Sequence, residues 1–286
     1  KFDNASFKWD EDSDKVILHD IDLKVPKGQL IAIVGPVASG KTSLLMALLG
    51  EMTSSSEGKA YKKGTVAYVG QQPWVMNRTL RDNITFLKEF DEKRYEQTIS
   101  QCALGPDLKV IKGGDQAEIG ERGINLSGGQ KARIGMCRAV YQDREIYLLD
   151  DILSAVDAHV GSHIFKEVIT GQLKGKTILF VTNALQYVNK CDRVIVLDDG
   201  KVVEDGTYDE LLQKGDVEII NKAESQRTEE AEPEPNATKD LEEKDGEIET
   251  SEIVLTEGKK NTTGSDEKKN IGDEKMTGDD GKEAKR

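Results

Sequence analysis

The sequence predicts an α/β fold with a mostly parallel sheet at its core, and three observations support this prediction. Short, continuous apolar runs at residues 29–34, 145–149 and 177–181 are typical of strands that are covered on both faces. Helical patterns separate such runs, as expected for parallel strands that are joined by helices. A glycine-bearing loop and a helix at residues 42–49 follow the first run directly.

The chain begins with two strand patterns that have no helix between them. Residues 2–9 form a short aromatic-bearing strand candidate, and Ile17, Ile21, Leu23 and Val25 alternate with polar residues as in a half-buried strand. Because no crossover helix joins them, we expect an antiparallel β piece ahead of the parallel sheet.

The remaining elements follow in the order strand, helices, then alternating strands and helices. The predicted elements are a strand at 65–70, a helix bearing Tyr95, Ile99 and Cys102, a helix at 130–141, strands at 145–149, 177–181 and 193–197, a helix around 160–169, and a last short helix after a Thr207/Glu210 capping box. We expect an α-helical subdomain at about residues 73–140.

Composition divides the chain near Lys222. Residues 222–286 contain 12 Lys or Arg, 20 Asp or Glu and no aromatic residue, a net charge of −8 out of −13 for the whole chain. So few apolar residues cannot offset the entropy of ordering the segment. We therefore predict a globular domain at 1–221 and an acidic, disordered C-terminal tail or linker at 222–286.

Charge and composition also exclude several classes of protein. A net charge of −13 argues against binding nucleic acid or anionic lipid through bulk electrostatics, so we expect no nucleic-acid partner. Three separated cysteines without CxxC spacing argue against a disulfide framework. No apolar stretch in the sequence approaches the 18 or more residues of a membrane span.

The loop after the first buried run has the P-loop pattern G-x-x-x-x-G-K-[ST]. In such a loop, backbone N–H groups and a helix N-terminus bind phosphates, the lysine reaches the β and γ phosphates, and the Thr hydroxyl binds Mg²⁺. The predicted nucleotide-binding residues are Gly35, Pro36, Val37, Ala38, Ser39, Gly40, Lys41, Thr42 and Ser43. The predicted fold is therefore that of a P-loop NTPase, of the RecA-like type.

An acidic pair ends the strand that begins near residue 145. The run Ile146–Asp150 finishes in Asp150 and is followed by Asp151. A carboxylate at a strand end beside a P-loop is suited to hold Mg²⁺, so Asp150 joins Thr42 as a predicted metal residue.

The pentapeptide Leu126, Ser127, Gly128, Gly129, Gln130 stands just ahead of a helix. With the P-loop, it resembles the signature of the ATP-binding cassette (ABC) family, and the resemblance covers nearly all of residues 1–221. It implies that these residues contact the γ-phosphate held by a second cassette in a head-to-tail dimer. The strings NASFKW, QQPW, GERGINLSGGQ and DDILSAVDAHVGSHIF resemble the C subfamily, the multidrug-resistance-associated exporters, and within it the first of two cassettes.

The resemblance assigns roles to further residues. Trp9 matches the aromatic residue that stacks on adenine, and Gln71 matches the glutamine that senses Mg²⁺ and water and passes motion to the membrane domain. Asp157, in the Ser154–Asp157 stretch, matches a contact with the partner cassette. Gln71 is thus expected both in the catalytic set and in the metal set.

Three positions depart from the pattern of a hydrolytic cassette. Asp151 stands where the general-base glutamate belongs, Asn183 where the switch histidine belongs, and Ala38 where the P-loop has a glycine. Asp is shorter than Glu by about 1.5 Å, and Asn cannot carry a proton or a charge. Binding needs neither group, so we expect retained affinity and slow hydrolysis at this site.

The resemblance implies ATP and Mg²⁺ as ligands. It implies as partners a second nucleotide-binding domain and the transmembrane domains of the same polypeptide, at the cytoplasmic face of a plasma or organelle membrane. The leading expectation is an exporter ATPase domain whose own site is degenerate. A regulatory nucleotide-sensing module that gates a channel remains open as the alternative, whereas a soluble cassette acting on ribosomes or DNA is disfavoured by the acidic charge.

Overall fold

The computed structural model describes residues 1–120 and 125–214, and two sheets organise them. The strands are β1 (Phe2–Lys8), β2 (Leu18–Leu23), β3 (Leu30–Val34), β4 (Thr53–Ser54), β5 (Lys59–Ala60), β6 (Val66–Val69), β7 (Ile146–Asp150), β8 (Thr177–Val181), β9 (Arg193–Asp198) and β10 (Lys201–Gly206). The helices are α1 (Lys41–Leu49), α2 (Leu80–Thr85), α3 (Glu92–Gln101), α4 (Gly105–Val110), α5 (Gly128–Gln142), α6 (Ala158–Ile164) and α7 (Tyr208–Lys214).

The larger sheet has the strand order β10-β9-β3-β8-β7-β6. Its neighbouring pairs are parallel except β9 and β10, which form an antiparallel pair at one edge. The parallel core is the one that the buried apolar runs predict, and the α/β fold class is confirmed. Strand β10 was not predicted because its alternating burial follows β9 after a short turn and lacks an apolar run.

Successive side chains on β3 and β8 pack on opposite faces of this sheet. Ile31, Ile33, Leu179 and Val181 join the cluster that contains α1 and the β1–β2 side chains. Ile178 and Phe180 face the cluster built by α5 and α6. Both faces are therefore covered, which explains why the strands are continuously apolar.

The smaller sheet confirms the antiparallel piece at the start of the chain. Strand β1 pairs antiparallel with β2, β4 and β5. Phe2, Leu18 and Leu23 are fully buried against α1. Strands β4 and β5 are two residues long, too short to leave a pattern in the sequence.

Helices α2, α3 and α4 lie between β6 and α5, within the segment predicted to be helical. Tyr95, Ile99 and Cys102 are buried as the spacing predicts. The helix predicted around 160–169 is interrupted: α6 ends at Ile164 and a π-helix follows over Phe165–Gln172. Two 3₁₀ turns, Gly114–Gln116 and Leu185–Lys190, complete the described elements. The predicted tail at 222–286 lies outside the described residues, as do positions 121–124.

Candidate functional site

The P-loop connects the end of β3 to the start of α1 at the carboxyl edge of the parallel sheet. Gly35 has a φ of 149°, and a Cβ at this position would lie 2.0 Å from the carbonyl oxygen of Leu197. No side chain fits there, so glycine is required by the close approach of β9. Gly40 has a φ of 100° and forms the N-cap of α1 without a side-chain cap, which leaves the first N–H groups of the helix to a ligand.

Lys41 folds back onto the loop. Its Nζ donates to the carbonyl oxygens of Gly35 at 2.7 Å and of Pro36 at 2.6 Å. Burial lowers the pKa of Lys41, while the charges of Asp151 and Asp150 act in the opposite direction. The ammonium is thus held at the loop by neutral carbonyls and is available to an anionic ligand.

Ala38 has a φ of 63°, in the left-handed region. The departure from glycine noted in the sequence therefore has a conformational cost of about 1 kcal/mol, because a Cβ crowds the backbone at positive φ. The neighbouring Ser39 is buried, and its Oγ has no hydrogen-bond partner among the described residues. An unsatisfied buried hydroxyl in a phosphate loop is a group that a bound phosphate would satisfy.

We expect Ala38→Gly to raise the stability of the domain by about 1 kcal/mol, because glycine adopts positive φ without strain. For a domain of this size this corresponds to a melting temperature about 2–4 °C higher. Thermal unfolding without nucleotide is the measurement. The matched control is Ala47→Gly in α1, which should lower the melting temperature, and an unchanged or lower value for Ala38→Gly would contradict the strain argument.

Asp150 is held by two hydroxyl groups at the end of β7. Thr42 Oγ1 donates to Asp150 Oδ1 at 3.2 Å, and the Tyr68 hydroxyl donates to Asp150 Oδ2 at 3.4 Å. Burial raises the pKa of Asp150, and the charge of Asp151 adds to this, whereas the two hydroxyl donors and Lys41 oppose it. The fold therefore brings two of the three residues predicted to hold Mg²⁺, Thr42 and Asp150, into direct contact.

Asp151 connects the two residues predicted to act with it. Gln71 Nε2 donates to Asp151 Oδ2 at 3.3 Å, and Asn183 Nδ2 donates to the same oxygen at 3.5 Å. Asp151 itself is nearly buried and has a φ of 47°. The predicted catalytic set thus meets at one carboxylate oxygen, although its members are distant in sequence.

These residues fit a magnesium ion. The Thr42 hydroxyl and the Asp150 carboxylate are in contact, and the Gln71 amide contacts the next residue, Asp151. Each of these three side chains carries an oxygen, and Mg²⁺ prefers oxygen ligands. A divalent cation would also offset the two neighbouring carboxylates of Asp150 and Asp151. No cluster of three or more His, Cys, Asp or Glu side chains suited to a metal occurs in the described ranges.

The signature pentapeptide starts α5, and its side chains form a capping box. Gln130 N donates to Ser127 Oγ at 3.2 Å, and Ser127 N donates to Gln130 Oε1 at 2.9 Å. A Cβ on Gly129 would lie 3.0 Å from the carbonyl oxygen of Ala155, so the helix start approaches the loop that contains Asp157. Ser127 and Gly128 are exposed and Leu126 is buried.

A brace behind the signature was not predicted from the sequence. Asp107 Oδ1 accepts from Gln130 Nε2 at 3.0 Å, and Asp107 Oδ2 accepts from Arg133 Nη2 at 2.8 Å. Both partners of the ion pair are largely buried. The Gln130 amide is therefore committed within its own chain, with its oxygen in the capping box and its nitrogen on Asp107.

We expect Gln130→Glu to destabilise the domain by about 1–3 kcal/mol, because it keeps the capping acceptor but faces Asp107 with a second carboxylate. Adding Asp107→Asn should recover part of the loss, since the new amide can donate to the glutamate. Chemical denaturation of the three variants is the measurement. A Gln130→Glu variant as stable as the parent would show that the brace contributes nothing.

Two predicted residues stand apart from this cluster. Trp9 lies directly after β1, half exposed, and the described residues provide it with no hydrogen bond or ring contact. Asp157 is exposed and caps α6, accepting from Val160 N at 3.0 Å. Backbone hydrogen bonds to its carboxylate, above all the one from Val160 N, lower the pKa of Asp157. Asp157 therefore remains anionic at a surface position.

None of the helices in the described ranges combines the length and the apolar composition that a membrane span requires.

Tyr68, which contacts Asp150, is a second residue near the site that was not predicted from the sequence. Its position three residues before Gln71 was the available signal, but an aromatic residue on a buried strand is ordinarily a core residue.

Comparison with known proteins identifies the class to which this fold and site belong. The family model described as ABC transporter matches residues 18–154. The chain is 54% identical over 216 residues to the human "ATP-binding cassette sub-family C member 2", which covers 75% of this chain and 14% of that protein. It is 53% identical over 218 residues to "Multidrug resistance protein mrp-7" of Caenorhabditis elegans, and this match also covers 75% of this chain and 14% of that protein.

A third relative is the "ABC transporter C family member 8" of Dictyostelium discoideum, 48% identical over 218 residues, again 75% of this chain and 14% of that protein. The chain thus spans about one seventh of the length of these relatives. The domain belongs to the ABC transporter family, and within it to the C subfamily. It is an ABC transporter ATP-binding domain.

Proposed function

We propose that this domain is the first of two cassettes of an exporter, in which ATP binding and hydrolysis in a head-to-tail dimer drive transport across a membrane. The observation that supports this best is the Thr42–Asp150 hydrogen bond, 3.2 Å long, which joins the P-loop to the end of β7. The signature starts a different helix, α5, with Ser127 and Gly128 exposed. That arrangement suits a second nucleotide held by a partner.

The residues of this chain act on ATP chiefly by binding it. The first N–H groups of α1 and the Lys41 ammonium provide positive charge for the phosphates. Thr42, Asp150 and Gln71 would hold Mg²⁺, which neutralises charge on the β and γ phosphates when bound. Trp9 is proposed to stack on the adenine, a role that its exposed ring permits.

Hydrolysis at this site is proposed to be slow. Gln71 and Asn183 both donate to Asp151 Oδ2, so two amides hold the carboxylate in the general-base position. A base that is shorter than glutamate and tied in this way reaches a water molecule less well. Asn183 supplies a hydrogen bond but no proton.

We propose that the transmembrane domains dock beside Gln71. Residues on both sides of Gln71 in the sequence line a groove of about 200 Å³. Its lining includes Tyr68, Gly70, Trp74, Phe86 and Arg138. Trp74 is about half exposed, and the Arg138 guanidinium lies 3.9 Å from its ring centroid. An exposed aromatic in a concave surface suits a partner segment. We therefore propose that the domain lies at the cytoplasmic face of a membrane.

A second candidate function is favoured by the same departures at Asp151 and Asn183. A cassette that binds ATP and hydrolyses it slowly also suits a regulatory module that senses ATP and ADP and gates a channel. Transport assays on the whole protein distinguish the two, because only an exporter accumulates substrate against a gradient.

Lys41→Ala should weaken Mg-ATP binding about 10–150-fold, because it removes a charge-assisted hydrogen bond to phosphate worth about 1.5–3 kcal/mol. Isothermal titration calorimetry on the isolated domain is the measurement. The matched control is Lys112→Ala, an exposed lysine away from the loop, which should leave the affinity unchanged. Equal affinity for Lys41→Ala and the parent would overturn the assignment of the site.

A further inference from the structure

A cavity of about 710 Å³ lies at the opposite end of α1 from the P-loop. The helix starts at Lys41 and ends at Leu49, so the two ends are about 13 Å apart. Leu48 from α1 and Leu179 from β8 line the cavity and belong to the buried core. A volume of this size is typical of small-molecule sites.

The rim of this cavity is cationic although the chain as a whole carries a charge of −13. Four lysines line it, together with one acid, Glu145: Lys1, Lys27, Lys62 and Lys63. Glu145 Oε2 accepts from Thr65 N at 2.9 Å, so the carboxylate is engaged with the backbone. Lys1 Nζ lies 3.1 Å from Asp3 Oδ2. Among the described residues, the other three lysines have no carboxylate oxygen within 4.0 Å.

The rim leaves few cations for a ligand, which favours a ligand of low charge. Lys62 Nζ donates to the carbonyl oxygens of Leu48 at 3.2 Å and of Leu49 at 2.6 Å, and so offsets the negative end of α1. Lys27 and Lys63 remain for a ligand. The cavity thus has two available cations above an apolar floor, and the end of α1 here exposes carbonyls rather than the N–H groups that hold phosphates.

We propose that this cavity binds a small amphiphilic organic anion, with an apolar body on Leu48 and Leu179 and a single carboxylate or sulfonate between Lys27 and Lys63. Tyr61 is about half exposed at the rim and provides a ring for an aromatic body. Because the site and the P-loop lie at opposite ends of α1, the anion and ATP should bind together rather than compete.

The test uses two fluorescent probes on the full chain in saturating Mg-ATP. 8-Anilinonaphthalene-1-sulfonate is the anionic probe, and N-phenyl-1-naphthylamine is its neutral counterpart with the same apolar body. In the parent protein, 0.5 M NaCl should weaken the sulfonate and not the neutral probe. Laurate, a carboxylate of the same class, should displace the sulfonate.

The decisive variant is Lys27→Glu with Lys63→Glu, and the matched control is Lys93→Glu with Lys112→Glu, two exposed lysines that line none of the described cavities. We expect the decisive pair to weaken the sulfonate about tenfold or more, with the neutral probe unchanged within about twofold. Tyr61→Ala should weaken both probes. Equal loss in the control pair, displacement of the sulfonate by ATP, or an unaltered sulfonate affinity in the decisive pair would overturn the proposal.

Discussion

Restoring the two missing groups, Asp151→Glu together with Asn183→His, is expected to raise ATP turnover at this nucleotide site about 30–150-fold when a partner cassette supplies its signature. That gain corresponds to about 2–3 kcal/mol of barrier. The P-loop, Asp150 and Gln71 are already in place, so the two substitutions address the two groups that this site is proposed to lack. Single-turnover hydrolysis with the partner's own site blocked is the measurement.

The hydrogen bonds at Asp151 are the reason to expect that both changes are needed together. Asn183 and Gln71 donate to the same Asp151 oxygen, so the three side chains form one hydrogen-bonded unit. Groups that act as a unit are non-additive, and each single variant should therefore gain less than the pair does. Asp151→Asn with Asn183→His is the matched control, because it restores the histidine without a base and should stay slow. A double variant as slow as the parent would show that the degeneracy lies elsewhere.

Ser127→Arg is expected to reduce turnover at the partner's site by about 100-fold or more while leaving ATP affinity at this P-loop unchanged. Ser127 is exposed at the start of α5, and the N–H groups there suit an anion from outside the chain. An arginine at this position replaces a small hydroxyl group by a long side chain in the proposed dimer interface. The 100-fold figure corresponds to about 2.7 kcal/mol, the scale of losing one positioned donor to a developing charge.

Ser127 also caps α5, so the loss of a cap needs its own control. Thr79→Ala removes an equivalent cap, because Thr79 Oγ1 accepts from Asp82 N at 3.0 Å at the start of α2. Both variants should lose about 0.5–2 kcal/mol of stability, whereas only Ser127→Arg should affect the partner's turnover. Equal effects of the two variants on that turnover would mean that stability alone explains them.

The sequence predicted the parts of the fold that depend on local pattern. Continuous apolar strands, the P-loop and the signature can be recognised because each requires particular residues at fixed spacing. Contacts between distant residues could not be predicted in this way. Asp107 and Gln130 are 23 positions apart, and nothing near Asp107 indicates that its carboxylate braces the signature.

In the candidate site, too, the residues could be predicted from the sequence but the contacts between them could not. Gln71, Asp151 and Asn183 were chosen by resemblance, but their meeting at one oxygen depends on the order of β6, β7 and β8 in the sheet. The role of Tyr68 depends on that order too, since its strand β6 pairs with β7, which ends in Asp150. The sequence showed that Ala38 replaces a glycine. It did not show the left-handed φ of this residue or the conformational cost that follows.

The central claim is that this domain holds ATP at its own P-loop and completes a faster site on its partner. The most direct measurement is a mixed dimer with the second cassette, in which radiolabelled ATP is trapped and its hydrolysis followed separately at each site. We expect ATP to remain unhydrolysed at the P-loop that contains Lys41. ATP at the partner's P-loop should be converted rapidly to ADP, and Ser127→Arg should abolish that conversion. Equal hydrolysis at both sites, or partner-site hydrolysis that survives Ser127→Arg, would contradict the claim.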